Sequence, residues 1–137
     1  MTISGETNRI VKQWVEYAEE DLRVAKYALK IKSAAPHKII AFHAQQCAEK
    51  YLKSFLVCKD VDFAYTHNIA LLLELSSPHA GWVASLQGLV VLTQYAVTTR
   101  YPGKDIVSKK EALKAVELAS LARKTVRSAL KQEGLIL

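Results

Sequence analysis

The stretch KIIAFHAQQCAEKYLKSFLVC, from Lys38 to Cys58, sets the architecture of the chain, because apolar residues recur along it at helical spacing. With about 100° between successive residues, one arc of such a helix collects seven core-forming side chains. They are Ile40, Ala44, Cys47, Ala48, Tyr51, Phe55 and Cys58. A row of polar side chains follows the flank of that arc: His43, Gln46, Lys50 and Lys53. We predict a central helix whose row of donors could hold an anionic ligand, although a solvated helix face has a similar pattern.

Before this stretch, residues 8–32 carry an amphipathic pattern that follows a polar leader over residues 1–7. Acidic residues lie early in this segment and basic residues lie late, as the helix dipole favours. We interpret its carboxylates as part of a solvated face: Glu16, Glu19, Glu20 and Asp21. Pro36 stands where the next helix can begin, and the short connection predicts that the first two long helices pack antiparallel.

After the central stretch the helical period is lost over 59–65, which predicts a loop. Thr66 or Asn68 can cap a short helix that ends before the turn signal at 76–81. The next predicted helix, 82–101, is apolar on two opposite faces. Such a helix lies in the middle of a bundle or at a subunit interface, so we predict a homodimer.

The last predicted helix begins at a capping box formed by Ser108 and Glu111 and runs to Gln132. Residues 134–137 form a short tail that starts at Gly134. No segment of useful length alternates apolar and polar residues as a strand would. The chain is therefore predicted to be one all-α domain over 1–137, an up-and-down four-helix bundle of long helices with one additional short helix.

Composition narrows the class of partner. The 137 residues are half apolar, which is typical of a globular chain, and their formal charge of +6 makes a phosphate-bearing partner plausible. The two cysteines lie about 16 Å apart along one helix, too far to pair, so they indicate a reducing compartment. No stretch approaches the roughly 20 apolar residues that cross a bilayer, and no signal peptide pattern opens the chain. We expect a cytoplasmic protein with no membrane partner.

The sequence carries no motif for standard cofactor or hydrolase chemistry. It lacks GxxxxGK[ST], GxGxxG and GxSxG. His43 and Cys47 stand one helical turn apart, but no further ligand has matching spacing, so we predict neither a metal site nor a cofactor. The basic last helix is interpreted as a solvated face, with a nucleic-acid stripe as the alternative. Arg100 lies on an otherwise apolar face, where it either satisfies the last carbonyls of its helix or contacts an anionic ligand.

Several blocks together resemble the HEPN family. They are FHAQQCAEKYLKSFL at 42–56, THNIALLLEL at 66–75 and TRYPG at 99–103, and WVEYAEEDLRVAKYAL at 14–29 is similar to the first helix of that family. The resemblance covers residues 14–130 in the expected order. It implies an up-and-down helical bundle with an extra short helix, usually dimeric and often encoded beside a minimal nucleotidyltransferase. It also implies nucleotide binding and, in many members, RNase activity in toxin–antitoxin and defence systems.

The RNase branch of that family uses an arginine followed by four to six residues and then a histidine, near the end of the fourth helix. Arg100 matches the arginine, whereas Asp105, Ile106 and Val107 occupy the positions of the histidine. The catalytic pair is incomplete, so we expect a binding module more than an enzyme.

We therefore predict a module that binds a nucleotide or RNA and works with a partner such as a minimal nucleotidyltransferase. The predicted ligand groove consists of Arg100, Tyr101, His43, Gln46, Lys50 and His67. Arginine and lysine would hold phosphate, and Tyr101 could stack on a base. Two alternatives stay open: a non-catalytic interaction protein of a toxin–antitoxin pair, or a metal-independent RNase in which His67 or His43 replaces the missing histidine and Arg100 is catalytic.

Overall fold

A computed structural model describes residues 3–97 and 106–137, and every regular element in these two ranges is helical. The α-helices are α1 (Gly5–Leu29), α2 (His37–Cys58), α3 (Ile69–Ser76) and α4 (Lys109–Gln132). A 3₁₀ turn (Ser77–His79) and a 3₁₀ helix (Gly81–Tyr95) lie between α3 and α4. The predicted all-α bundle with one short extra helix is confirmed. Within the described ranges, no helix combines the length and apolarity needed to cross a bilayer.

Helix α2 is the centre of the bundle, because it contacts α1, α3, α4 and the 3₁₀ helix. Its predicted apolar arc is confirmed from Ile40 to Phe55, while Cys58 at the end of the helix is only partly buried. Neighbours on several sides also bury polar side chains that the arc did not include. These are Gln45, Glu49, Lys53 and Ser54. The polar residues of α2 are therefore part of the interior as well as of its edge.

Helix α1 begins at Gly5, inside the predicted polar leader, because Ser4 caps it. The Thr7 amide donates to the Ser4 Oγ atom over 3.1 Å, which satisfies one of the free first-turn amides. The helix ends at Leu29, and the connection to α2 contains Ala34 in the left-handed region, with φ of 54°. Helix α2 then starts directly after Pro36, as predicted.

The segment predicted as an α-helix over 82–101 is instead a 3₁₀ helix from Gly81 to Tyr95, and residues 98–105 lie outside the described ranges. Its buried side chains recur every third residue: Val83, Leu86, Leu89 and Leu92. Three residues per turn place these four side chains on one line, which is the period of a 3₁₀ helix. This line takes Leu86 and Leu89 from one predicted apolar face and Leu92 from the other, while Val90 and Val91 are exposed, so neither predicted face is buried as a whole.

Helix α4 begins as predicted at a capping box. The Glu111 amide donates to the Ser108 Oγ atom over 3.1 Å, and the Ser108 amide donates to the Glu111 carboxylate over 3.2 Å. Gly134, with φ of 97°, ends the helix, and the Leu135 amide donates back to the Leu130 carbonyl over 3.1 Å. The predicted tail thereby returns to the bundle, where Leu135 is buried.

Candidate functional site

A carboxylate from α1 joins two of the predicted ligand-binding side chains of α2. His43 Nδ1 lies 2.8 Å from Asp21 Oδ1, and Lys50 Nζ donates to Asp21 Oδ2 over 2.6 Å. Asp21 is 8% exposed, so its interpretation as part of a solvated face was wrong. The helices pack closely enough here that a carboxylate on the edge of α1 is enclosed by α2. A buried charge needs such partners, and Lys50 and His43 supply them.

Gln46, the third predicted residue of this row, leads into a second network. Its amide donates to Gln45 Oε1 over 2.7 Å, and the Gln45 amide donates to Glu49 Oε1 over 2.9 Å. The same carboxylate is contacted by His67 Nδ1 at 2.6 Å and accepts from Lys53 Nζ over 2.9 Å. A chain of hydrogen bonds thus links Gln46 to His67 across the interior of the bundle.

Lys53 lies in a box of aromatic rings. Its Nζ atom lies 5.6 Å from the ring centre of Trp14, 5.9 Å from that of Phe63 and 5.7 Å from that of Tyr65. Only 5% of the Lys53 side chain is exposed, as is 3% of the side chain of Glu49. Cation–π contacts and one ion pair together satisfy this buried ammonium group. The segment from Phe63 to His67 therefore lies against α2 as a cover.

A third cluster joins α1, α2 and α4 at the carboxylate of Glu19. The Tyr51 hydroxyl donates to Glu19, Arg123 Nε donates to it over 2.6 Å, and Arg127 lies 3.5 Å away. Burial raises the pKa of Glu19, but the hydrogen bonds from Tyr51 and Arg123 and the charges of the two arginines outweigh it and hold that pKa below its usual value. Burial and the adjacent carboxylate raise the pKa of Tyr51, so its hydroxyl stays protonated and remains a donor.

Tyr17 adds an aromatic surface beside the row on α2. Its ring centre lies 6.0 Å from Lys50 Nζ, and 48% of the side chain is exposed. A cavity of about 180 Å³ adjoins the ring and is lined by Ile10, Gln13, Trp14 and Tyr17. An exposed ring next to a cation can stack on a base while the cation contacts a phosphate. We call Tyr17, Asp21, His43, Gln46 and Lys50 the α1–α2 site.

The structure brings together only part of the predicted groove. His43, Gln46 and Lys50 form one row, and His67 joins it through Gln45 and Glu49. Arg100, Tyr101 and Asp105 lie outside the described residues. Ile106 and Val107 are described, and neither apolar side chain can act as the missing histidine. No group of three or more potential metal ligands lies together in the described ranges.

Sequence reasoning missed Asp21, Glu49 and Tyr17. For Glu49 a signal exists, because Gln45, Glu49 and Lys53 recur at intervals of four residues and lie on one side of α2. Asp21 and Tyr17 carry no such local signal, because their partners lie on another helix.

Comparisons with known proteins agree with this fold. A sequence model of the HEPN domain matches residues 11–129. Among curated proteins, no sequence matches the chain. The crystal structure of ST0689, an archaeal HEPN homologue, has a TM-score of 0.68 and 23% identity, covering 87% of this chain and 96% of that chain. The crystal structure of TT1696 from Thermus thermophilus has a TM-score of 0.67 and 27% identity, covering 86% of this chain and 96% of that chain.

Proposed function

Since the chain belongs to the HEPN family, we propose that it is a binding module for a nucleotide or RNA. It acts as a homodimer and together with a partner protein, for which a minimal nucleotidyltransferase is the first candidate. The ligand contacts the α1–α2 site, and Arg100, Tyr101 and His67 complete the set of binding residues. Membership of the HEPN family supports a role as a binding module. The side chains of the α1–α2 site support a nucleotide or RNA as the class of ligand.

The observation that carries the proposal is the half-exposed Tyr17 ring beside Lys50. Lys50 and His43 share one carboxylate, so the cluster of Asp21, His43 and Lys50 carries a net charge of zero or +1, depending on the protonation of His43. The side chains are also fixed by their mutual hydrogen bonds, which lowers the entropy that a ligand contact would cost. A fixed cation next to an aromatic ring can contact both the phosphate and the base of a nucleotide. An inorganic anion would use only the cation.

The test is a titration of ATP, GTP and a short single-stranded RNA into four proteins: wild type, Tyr17→Ala, Arg100→Ala and Tyr27→Ala. Stacking on Tyr17 contributes about 1–3 kcal/mol, so Tyr17→Ala should weaken binding of the preferred ligand by about fivefold to 150-fold. Tyr27 is the matched control, because it is an exposed tyrosine on the same helix. Equal affinities for wild type, Tyr17→Ala and Arg100→Ala would remove the α1–α2 site and Arg100 from ligand binding.

One observation favours metal-independent RNase activity as a second candidate function. Each of the two histidines proposed to replace the missing one has its Nδ1 atom against a carboxylate, His43 at Asp21 and His67 at Glu49. A carboxylate at Nδ1 orients an imidazole for proton transfer at Nε2. In His67, Nε2 lies 3.2 Å from the Tyr65 hydroxyl, so a substrate would have to displace that contact. RNA cleavage in EDTA that is lost in Arg100→Ala and in His43→Gln or His67→Gln would establish this activity. Intact RNA after prolonged incubation with wild type would exclude it.

A further inference from the structure

Tyr65, His67 and Glu49 form a hydrogen-bonded row between α2 and the segment that precedes α3. The Tyr65 hydroxyl lies 3.2 Å from His67 Nε2, and His67 Nδ1 lies 2.6 Å from Glu49 Oε1. The side chain of Glu49 is 3% exposed and that of His67 is 37% exposed, while Tyr65 is 88% exposed. The row therefore runs from the interior of the bundle to its surface, where the tyrosine is accessible to molecules in solution.

The partners of Glu49 determine which nitrogen of His67 carries a proton. Glu49 also accepts from Lys53 Nζ over 2.9 Å, as a charged carboxylate does, so towards His67 it can only accept as well. His67 Nδ1 therefore carries a proton. In the neutral imidazole Nε2 is then an acceptor, and the Tyr65 hydroxyl is the donor that faces it.

The order of these groups is that of a nucleophile, a base and a carboxylate that orients the base. A phenol hydroxyl is a weak nucleophile until a base takes its proton, and His67 Nε2 is in position to take it. Two charges favour the products of this transfer. Glu49 lies against the imidazolium, and Lys53 Nζ lies 5.7 Å from the centre of the Tyr65 ring, which then carries a negative charge.

Tyr27, another exposed tyrosine, lacks the base. It is 65% exposed, and Lys30 Nζ lies 5.0 Å from its ring centre. Its ring therefore has a neighbouring cation, as the ring of Tyr65 has, but no histidine of the described ranges donates to or accepts from its hydroxyl. Tyr27 is thus a comparison within the same chain for the effect of His67.

We propose that Tyr65 is an acyl-acceptor site, whose hydroxyl takes an acyl group from an activated ester or an acyl phosphate with His67 as the base. Tyr65 Oη forms a bond to the acyl carbon, and the phenol proton passes to His67 Nε2. The bond from the acyl carbon to the leaving oxygen breaks, and its electron pair stays with the leaving group. His67 then returns its proton to that leaving group, so the products are the ester of Tyr65 and a free alcohol or phosphate.

An acyl donor fits this surface better than a phosphoryl donor does. Phosphoryl transfer depends on cations that contact the phosphate oxygens. The Lys53 ammonium group lies at the Tyr65 ring, but the Lys53 side chain is 5% exposed and cannot reach a phosphate presented from solvent. An uncharged carbonyl group needs no such cation.

This inference goes beyond the proposed function, with which it shares only His67. The result that is measured is a covalent adduct on Tyr65, which requires neither nucleotide nor RNA. Failure of acylation and failure of ligand binding are therefore separate results.

The test treats the full chain with p-nitrophenyl acetate and follows acetylation of Tyr65 and Tyr27 by mass spectrometry of peptides. Base catalysis contributes about 10²–10⁴-fold, so Tyr65 of wild type should be acetylated at least about tenfold faster than Tyr27. In His67→Gln the two rates should agree within about threefold, because the base is lost. The control is His79→Gln, a change of an exposed histidine in the 3₁₀ turn, which should keep the wild-type ratio.

Acetyl phosphate is the second probe, because attack at its carbon leaves an acetyl group on tyrosine and attack at its phosphorus leaves a phosphoryl group. We expect the acetyl adduct on Tyr65. The inference is overturned if Tyr65 reacts no faster than Tyr27 in wild type, if Tyr65 keeps its advantage in His67→Gln, or if acetyl phosphate leaves a phosphoryl group on Tyr65. The first of these measurements uses wild type alone, so it does not depend on the folding of a variant.

Discussion

At the scale of single residues, Asp21 fixes the positions of two side chains of the α1–α2 site, because its carboxylate accepts from both His43 and Lys50. Asp21→Asn would leave the ammonium group of Lys50, whose side chain is 23% exposed, opposite a neutral amide. We expect the free energy of unfolding to fall by about 1–3 kcal/mol, measured by urea denaturation. Glu20→Gln, a change at the adjacent exposed carboxylate, should cost less than about 0.5 kcal/mol. Equal stability of the two variants would show that Asp21 is solvated in solution.

Glu19 predicts a pH dependence with a definite sign. Its pKa in the fold is lowered, as described above, so its charged form stabilises the protein above the unfolded-state pKa. That stabilisation is lost as the pH falls through the folded-state pKa. Glu19→Gln should therefore lower the free energy of unfolding by about 1 kcal/mol at pH 7, with the difference closing below about pH 4.

The measurement is urea denaturation of wild type and Glu19→Gln across that pH range. Glu16→Gln serves as the control, because Glu16 is exposed on the same helix. A difference between wild type and Glu19→Gln that stays constant with pH would contradict the assignment of a lowered pKa.

At the scale of elements, the start of α4 depends on Ser108. Ser108→Ala removes the oxygen that accepts from the Glu111 amide, and we expect a loss of about 1 kcal/mol in the free energy of unfolding. Ser128→Ala, an exposed change inside the same helix, should be neutral or slightly stabilising because alanine has the higher helix propensity. Thermal unfolding of both variants measures the difference. If the two changes had similar effects, the first turn of α4 would be frayed in solution and the Ser108 cap would not stabilise it.

The elements also show what local sequence can and cannot predict. The cap at Ser108 and the helix start after Pro36 were predicted, and Asn68 is one of the two caps predicted for α3, the other being Thr66. These features could be predicted because the chemistry of a helix end is contained in a few neighbouring residues. The 3₁₀ geometry of Gly81–Tyr95 was not predicted. Its leucines at 86, 89 and 92 fit a spacing of three, but a run rich in apolar residues fits several helical periods at once.

At the scale of the whole molecule, the predicted homodimer has a testable surface. Val91 is 50% exposed on the 3₁₀ helix and lines a small cavity between that helix and α4. If this surface packs against the same surface of a second copy of the chain, Val91→Asp should shift the protein from dimer to monomer at micromolar concentration. Sedimentation equilibrium measures this shift. A stable dimer buries about 800 Å² on each partner, so a charge at its centre is costly. Val24→Asp, an exposed valine on α1, is the control.

The helical architecture could be predicted because the spacing of apolar residues shows which side of each helix is buried. Most contacts of the α1–α2 site could not be predicted. The row of His43, Gln46 and Lys50 could be identified from one helix alone. Its carboxylate partner Asp21 comes from another helix, and only the packing of α1 against α2 shows that the two meet. The same holds for Glu19, which was interpreted as solvated and instead joins Tyr51 and Arg123. Partners that are distant in sequence cannot be assigned from spacing.

The cluster around Glu19 also limits how this chain can change over evolutionary time. Three helices supply its members, so a substitution of Glu19 alone leaves two guanidinium groups without their carboxylate. A matched replacement of Glu19, Arg123 and Arg127 removes both sides of the interaction. Lineages that lose the acid at this position should therefore also have lost an arginine from the last helix. Tyrosine at position 51 should then give way to phenylalanine, since its hydroxyl would have no acceptor.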